Sequence, residues 1–248
     1  MTIAANKKPK GLASLKILLA LAVIINVLFW FDSRNLQATW TNVPPVPSKI
    51  SAVFPTIGDT QFASRILATI IQNFGNTGGR VTAIKEYNFE NLGDWLNLHY
   101  ELDQNSDIMP YMAAYYFGAS QEPKKIRPII EYLRKAGNNS NDEKWRWLVQ
   151  GIYLARFKLN DMKLALEMAD ELAELDNDEM PAWARRMRVN ILNQSGEKEA
   201  ALELMLAILA DKADKLHPNE VNAMVGYICE QILDPQETRT HDLCKDLQ

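Results

Sequence analysis

The sequence predicts an all-α protein in which α-α hairpins stack into a superhelix (an α-solenoid), behind a single N-terminal transmembrane helix. Three observations carry this. A run of apolar residues from Leu12 to Phe31 follows a cluster of lysines. From Asp59 onward nearly every segment repeats its apolar positions at helical spacing, and no strong strand pattern interrupts them. Short motifs recur at one or two multiples of about 36 residues, the kind of period that stacked helix pairs produce.

The bulk properties leave room for this architecture. The chain has 248 residues, 47% of them apolar, enough for one or two domains with a sizeable core. Its net charge of -4 and pI near 5.5 argue against nucleic acid as a partner, because phosphate neutralisation needs a basic surface. The cysteines are Cys229 and Cys244, too few for a disulfide scaffold and without metal-site spacing.

The N-terminal segment reads as a short cytoplasmic stretch, 1–11, and a transmembrane helix, 12–31. Lys7, Lys8 and Lys10 precede the apolar run, and Lys16 lies near its start, where its stem can snorkel to the headgroups. Trp30 stands at the far end, where aromatic belts form. A cleaved signal peptide would show small residues at its cleavage site, and Leu36-Gln37-Ala38 has Leu36 at the outer position. A buried core helix would be more amphipathic. An uncleaved anchor is therefore expected, and Asn26 in mid-span is a candidate for bonding to another membrane helix. After the span come Asp32 and Arg34, with no further basic residue before Lys49. The positive-inside rule then puts the N-terminus in the cytoplasm and the helical domain in the periplasm or another extracytoplasmic space. A bacterial inner (plasma) membrane is the expected home, since residues 1–10 lack the arginine-rich character of a mitochondrial transit peptide.

Residues 32–58 read as a proline-rich linker. Pro44, Pro45, Pro47 and Pro55 oppose a regular helix and favour an extended spacer. Trp40 and Phe54 either pack on the domain or lie at the membrane interface. A helical domain follows over 59–233, and a polar tail over 234–248. Helices are expected at about 59–74, 80–87, 89–103, 108–119, 123–136, 141–158, 161–175, 179–194, 197–212 and 218–233, by their caps and their breakers. Asp59 caps the first and Gly75 stops it. Asn160-Asp161 and Ser195-Gly196 are among the turns.

Within this array Leu148, Gly151, Ile152, Ala155 and Leu159 form an apolar stripe, and Ala165, Ala169 and Ala173 form a small-residue stripe on the next helix. Ala201, Leu204, Met205 and Ile208 repeat the arrangement. Glu101-Leu102-Asp103 recurs as Glu174-Leu175-Asp176, and Pro110 recurs as Pro181. On Gly151, Tyr153, Asn160-Asp161, Ala165 and Glu174-Leu175-Asp176, residues 141–210 resemble two degenerate tetratricopeptide repeats, and 89–137 resembles a third, weaker one. The chain departs from the family where the turn after Gly151 is about two residues longer, and where Asn177 stands at the usual proline position. Periodicity alone also fits a non-repeat helical bundle.

No catalytic constellation stands out. His99, His217 and His241 have no partner at ligand spacing. They read as a half-buried helix residue, a helix-start residue and a tail residue. GNTGGR at 75–80 lacks the spacing that seats a lysine on phosphates. The acidic run 161–179 lacks the alternation and central glycine of a calcium loop. Neither metal nor cofactor is expected, and the protein reads as no enzyme. The repeat resemblance implies instead that the first helix of each pair lines a groove for partner segments. Tyr111, Tyr115, Trp145, Arg146, Tyr153 and Arg156 are the groove candidates, residues of the types that dominate interfaces. Arg185 and Arg188, three apart on one face, can either hold a partner carboxylate or pair with neighbouring acids. The bland alternative for the aromatics is that they fill the core between repeats.

Cys229 and Cys244 fit a disulfide if the domain faces an oxidising compartment, and two free thiols if it does not. The expected function is a membrane-anchored, protein-binding scaffold, an assembly factor or accessory subunit of a membrane complex. An obligate structural subunit, or a helical domain that binds or transforms a small molecule, are the alternatives.

Overall fold

The computed structural model describes residues 11–34, 43–77, 80–139, 143–175, 177, 180–212 and 216–247. Lys7, Lys8, Lys10, Trp40 and the Leu36-Gln37-Ala38 segment lie outside them. The chain divides into two compact units, residues 1–40 and 41–248.

The first unit is helix α1, Gly11–Ser33. Its stretch Ser14–Ser33 is 20 residues long with a mean hydropathy of 2.3, and none of it is buried. At about 1.5 Å per residue that is about 30 Å of helix, the thickness of a bilayer's hydrocarbon core. The helix is long and apolar enough to cross a membrane, and a signal sequence has the same properties. Nothing here fits a core helix, which would bury one face. Asn26 Nδ2 donates to the Ala22 carbonyl at 3.2 Å, so its amide is used inside its own helix. At the C-terminal end the Arg34 guanidinium lies 4.2 Å over the Phe31 ring and 5.5 Å from Trp30.

Among the described residues the second unit's regular structure is helical apart from one two-residue antiparallel pairing. It begins earlier than the expected linker boundary at 58. Val43 is fully buried, its carbonyl accepts from Asn91 Nδ2 at 2.9 Å, and the Pro44 carbonyl accepts from Trp95 Nε1 at 2.8 Å. The prolines are therefore strapped onto the domain. A short helix, α2 (Lys49–Val53), follows in a stretch expected to be extended, because Ser48 caps it and Pro55 falls just beyond its end. Phe54–Thr56 form a 3-10 turn closed by Ile57 in the left-handed region at φ 56°. Asp59 then caps α3 (Thr60–Gln72), accepting from the Phe62 amide at 2.9 Å.

The helix expected at 80–87 is absent. Gly75 turns the chain at φ 77°, Thr77 pairs with Arg80 and Asn76 with Val81, and the Thr82 amide donates to the Gly75 carbonyl at 2.8 Å. Only a 3-10 turn at Ile84–Glu86 follows. The β-branched Val81 and Thr82 beside a left-handed glycine favour the extended form.

From here the helices run α4 (Phe89–Leu102), α5 (Ile108–Tyr111), α6 (Arg127–Gly137), α7 (Trp145–Tyr153), α8 (Met162–Glu174), α9 (Ala182–Arg185), α10 (Met187–Ser195), α11 (Lys198–Lys212), α12 (Pro218–Tyr227) and α13 (Pro235–Thr240). The helix expected at 179–194 is broken between α9 and α10, where Arg186 leaves helical geometry. Three helices end in a wider π turn: α5 runs into Met112–Phe117, α7 into Leu154–Leu159 and α12 into Ile228–Ile232. A π turn takes in extra chain without ending the helix. After the second of these turns, Asn160 at φ 58° reverses the chain into the Asp161 cap of α8.

Packing follows chain order: α3 on α4, α4 on α6, α6 on α7, α7 on α8, α8 on α10, and α10 on α11. The α6–α7 approach is closest at Gly137, where a Cβ would lie 2.2 Å from the Leu148 amide nitrogen. On α8, Ala165 and Ala169 are fully buried, whereas Ala173 is exposed, so the small-residue stripe is one residue shorter than expected. One core runs from Val43 to Ile191, and a smaller one joins α10, α11 and α12, with Leu166 touching both.

The tail folds back. Asp234 and Glu237 form a capping box on α13. The Cys229–Cys244 disulfide, with Cα atoms 5.8 Å apart and both residues buried, closes the segment onto the end of α12.

Candidate interaction cleft

Two hollows lie side by side on α5 and α7, with their π turns, and on α10. The first, about 730 Å³, is lined by Asp107, Tyr111, Tyr115, Glu143, Trp145, Arg146, Trp147 and Trp183, among others. The second, about 580 Å³, is lined by Tyr153, Arg156, Phe157, Met187, Asn190 and Gln194 together with Tyr115, Val149 and Gln150. The last three residues belong to both, so the hollows form one cleft.

Helical spacing builds its wall. Tyr111 and Tyr115 are four apart, with ring centroids 5.0 Å apart. Tyr153 and Phe157 repeat the pair on the next hairpin, also at 5.0 Å. All four rings are more than half exposed, at 58%, 52%, 52% and 59%. Contact rings of this size left in water are unusual for residues whose role is core filling.

The charges differ between the two halves. In the first, Asp107 accepts from Lys144 Nζ at 2.6 Å and from Trp147 Nε1 at 2.7 Å, and Arg146 pairs with Glu143. In the second, Arg156 is the one charged residue among the described lining. Its guanidinium lies 4.6 Å over the Phe157 ring and donates to the neutral Gln194 side chain. Burial lowers its pKa, a sign that its charge is poorly compensated, though an arginine stays protonated at any physiological pH.

The structure brings together Tyr111, Tyr115, Arg146, Tyr153 and Arg156 as expected. Trp145 lines the cleft floor but is 4% exposed, packed edge-on against Trp183 at 5.8 Å, and so belongs mainly to the core. Arg185 and Arg188 lie outside the described lining. Arg185 donates to the Asn177 and Met180 carbonyls, closing the loop before α9, and Arg188 pairs with Asp170 at 2.9 Å. Arg188 thus pairs with a neighbouring acid, whereas Arg185 donates to backbone carbonyls, which neither reading named. Trp183, Phe157, Gln150 and Gln194 were missed. Phe157 was findable, since it lies one turn beyond Tyr153 on the same face.

The histidines sit elsewhere. His217 caps α12 as expected, Nδ1 accepting from the Asn219 amide at 3.2 Å. His99 is not half-buried but 1% exposed, and its Nε2 lies 2.9 Å from Ser64 Oγ, itself 2% exposed. Burial pushes the imidazole down to about 4, against a smaller opposing pull from Asp103. His99 and Ser64 lie nearly buried at the edge of a hollow of about 360 Å³ that Gln61, Arg65 and Asp103 also line. Among the described residues no cluster of metal-ligating side chains forms.

No known protein family matches the chain, and neither a curated protein nor a solved structure does.

Proposed function

We propose that the chain is a membrane-anchored, tetratricopeptide-like scaffold that holds a segment of another protein in the cleft between Tyr111 and Gln194, as an assembly factor or accessory subunit of a membrane complex. The ladder of exposed aromatic pairs, Tyr111/Tyr115 and Tyr153/Phe157, carries this reading. Rings on a rigid helical wall lose little entropy when they bind, and Tyr with Arg is the composition of interface hot spots.

The repeat reading draws support from the order of packing. Side-chain bonds that tie one hairpin to the next recur at 35, 37, 37, 38 and 36 residues: Ser64–His99, Lys144–Asp107, Arg134–Glu171, Arg156–Gln194 and Lys198–Asp234. A solenoid, in which each repeat touches only its neighbours, gives such a pattern. In this reading α1 is an uncleaved anchor, its lysine-rich start is cytoplasmic, and the domain faces an oxidising space, which fits the Cys229–Cys244 bond. The reading includes no reaction and no cofactor.

Purification of the full chain from its membrane in mild detergent, with and without Tyr115→Ala and Arg156→Ala, tests this. A stoichiometric partner that the substitutions weaken tenfold or more, about 1.4 kcal/mol, supports it. Partner recovery indifferent to both substitutions contradicts the cleft.

A further inference from the structure

The first turn of the domain carries an apolar surface that its own core leaves uncovered. Ile50, Phe54 and Ile57 are 78%, 81% and 99% exposed, while Ala52 and Thr56 on the same elements are buried. The spacing places the three apolar side chains on one face of α2 and its 3-10 turn. The tip is the most telling position. Ile57 holds a left-handed backbone, which a β-branched residue adopts at a cost, and its side chain touches nothing within the domain that would offset it. The outer face of α3 continues the character with Phe62, Ile66 and Ile70, 53%, 38% and 42% exposed.

The charges are sparse and lean positive. From Val43 to Thr77 they are Lys49, Asp59 and Arg65; Asp59 caps α3, and Lys49 Nζ donates to the Glu101 carbonyl at 3.2 Å. The chain itself limits where this surface can go. Val43 and Pro44 are fixed to α4, and α2 follows directly. Residues 35–42, fully extended, bridge no more than about 30 Å. If α1 spans the bilayer, the start of the domain is tethered within that distance of the lipid.

We infer that the Ile50–Ile57 turn is a second membrane contact, with Ile50, Phe54 and Ile57 seated in the interfacial layer of the same bilayer that α1 crosses. Apolar side chains at a turn tip, with Lys49 adjoining Ile50 in the chain, suit the headgroup–acyl boundary. This inference rests on the anchor reading, and its test separates the two.

The full chain is reconstituted into phosphatidylcholine–phosphatidylglycerol vesicles and carries an environment-sensitive dye on Ile57→Cys, with the native disulfide left oxidised. A second preparation carries the dye on Glu199→Cys, an exposed position on α11. Alkaline washing first establishes whether the chain is integral. In washed vesicles the dye at position 57 should emit to the blue and be quenched by nitroxide-bearing lipid, and the dye at 199 should do neither. An integral chain with a water-like, unquenched dye at 57 overturns this inference and leaves the anchor. A dye at 57 that is shielded from water yet untouched by lipid nitroxide also overturns it, and assigns the turn to protein, the 35–42 segment or a second copy. A chain that washes out overturns both readings. Ile57→Asn provides a second check that does not depend on the dye. Asparagine tolerates the left-handed backbone, so the domain stays folded, while protease access to the Ile50–Ile57 turn in vesicles should rise severalfold.

Discussion

Arg134 grips Glu171 across 37 residues of chain, from α6 to α8. Its Nε lies 2.9 and 3.0 Å from the two carboxylate oxygens, Nη2 donates to Oε1 as well, and Asn138 Nδ2 adds a bond at 2.6 Å. The hydrogen bonds from Arg134 hold the Glu171 carboxyl below its ordinary 4.5, and the same bonds raise the arginine. The depressed carboxyl contributes stability that is present above pH 4.5 and lost as the pH falls below it. Both side chains keep 28% exposure, so screening reduces the effect. Glu171→Gln should lower stability by about 1–2 kcal/mol at pH 7. Urea unfolding of the detergent-solubilised chain at pH 7 and pH 3.5 checks this, and the difference between wild type and variant should shrink at the lower pH.

His99 acts in a different window. Its folded-state value of about 4 lies below the ordinary 6.5, so the unfolded chain binds its proton first. Stability is therefore full above pH 6.5 and declines as pH falls toward 4, by up to roughly 3 kcal/mol. Thermal unfolding between pH 7 and pH 4.5 should show the decline, and His99→Gln should flatten it.

Gly137 and Gly226 make a contrast. A Cβ at Gly137 would meet the Leu148 backbone at 2.2 Å, whereas one at Gly226 would meet nothing within 4 Å. Gly137→Ala should cost about 1–3 kcal/mol through overpacking of α6 on α7. Gly226→Ala, inside α12, should be neutral or stabilise by about 0.5–1 kcal/mol. Equal effects in denaturant titrations would contradict this account of the α6–α7 contact.

The Cys229–Cys244 bond closes a separation of 15 residues. Cys244→Ser should lower stability by about 3 kcal/mol and release the segment after Asp234 to protease. The bond also reads out topology. When free thiols are alkylated in the living cell, Cys229 and Cys244 should escape alkylation and run as an oxidised pair on a non-reducing gel; alkylated cysteines would argue against an oxidising compartment.

Much of this architecture was legible in the chain because it depends on local chemistry. Asp59 and Asp161 cap helices wherever they precede an apolar periodic run, and Asn160 and Gly196 take left-handed turns because few other residues do so cheaply. The turns at Asn160-Asp161 and Ser195-Gly196 were legible as helix boundaries for the same reason. What stayed hidden depends on contacts remote in sequence. A tryptophan on a helix looks the same whether it faces water or Trp183, which is why Trp145 stood as a groove candidate with core filling as the alternative. For Arg185 and Arg188 the sequence could not show that the Asn177 carbonyl and Asp170 come alongside. The extended strap at Val43–Pro44 could not be separated from a free linker, because its bonds go to α4, far along the chain.

The central claim is that the aromatic cleft holds a partner at the membrane. It is tested most directly by placing a photo-crosslinking amino acid at Tyr115 in the full chain, in living cells, beside a control at Glu199. The account predicts one dominant adduct at position 115, absent at 199, and lost when Arg156→Ala is added. Adducts that are the same at both positions, or none at 115 from a folded, membrane-bound chain, would contradict it.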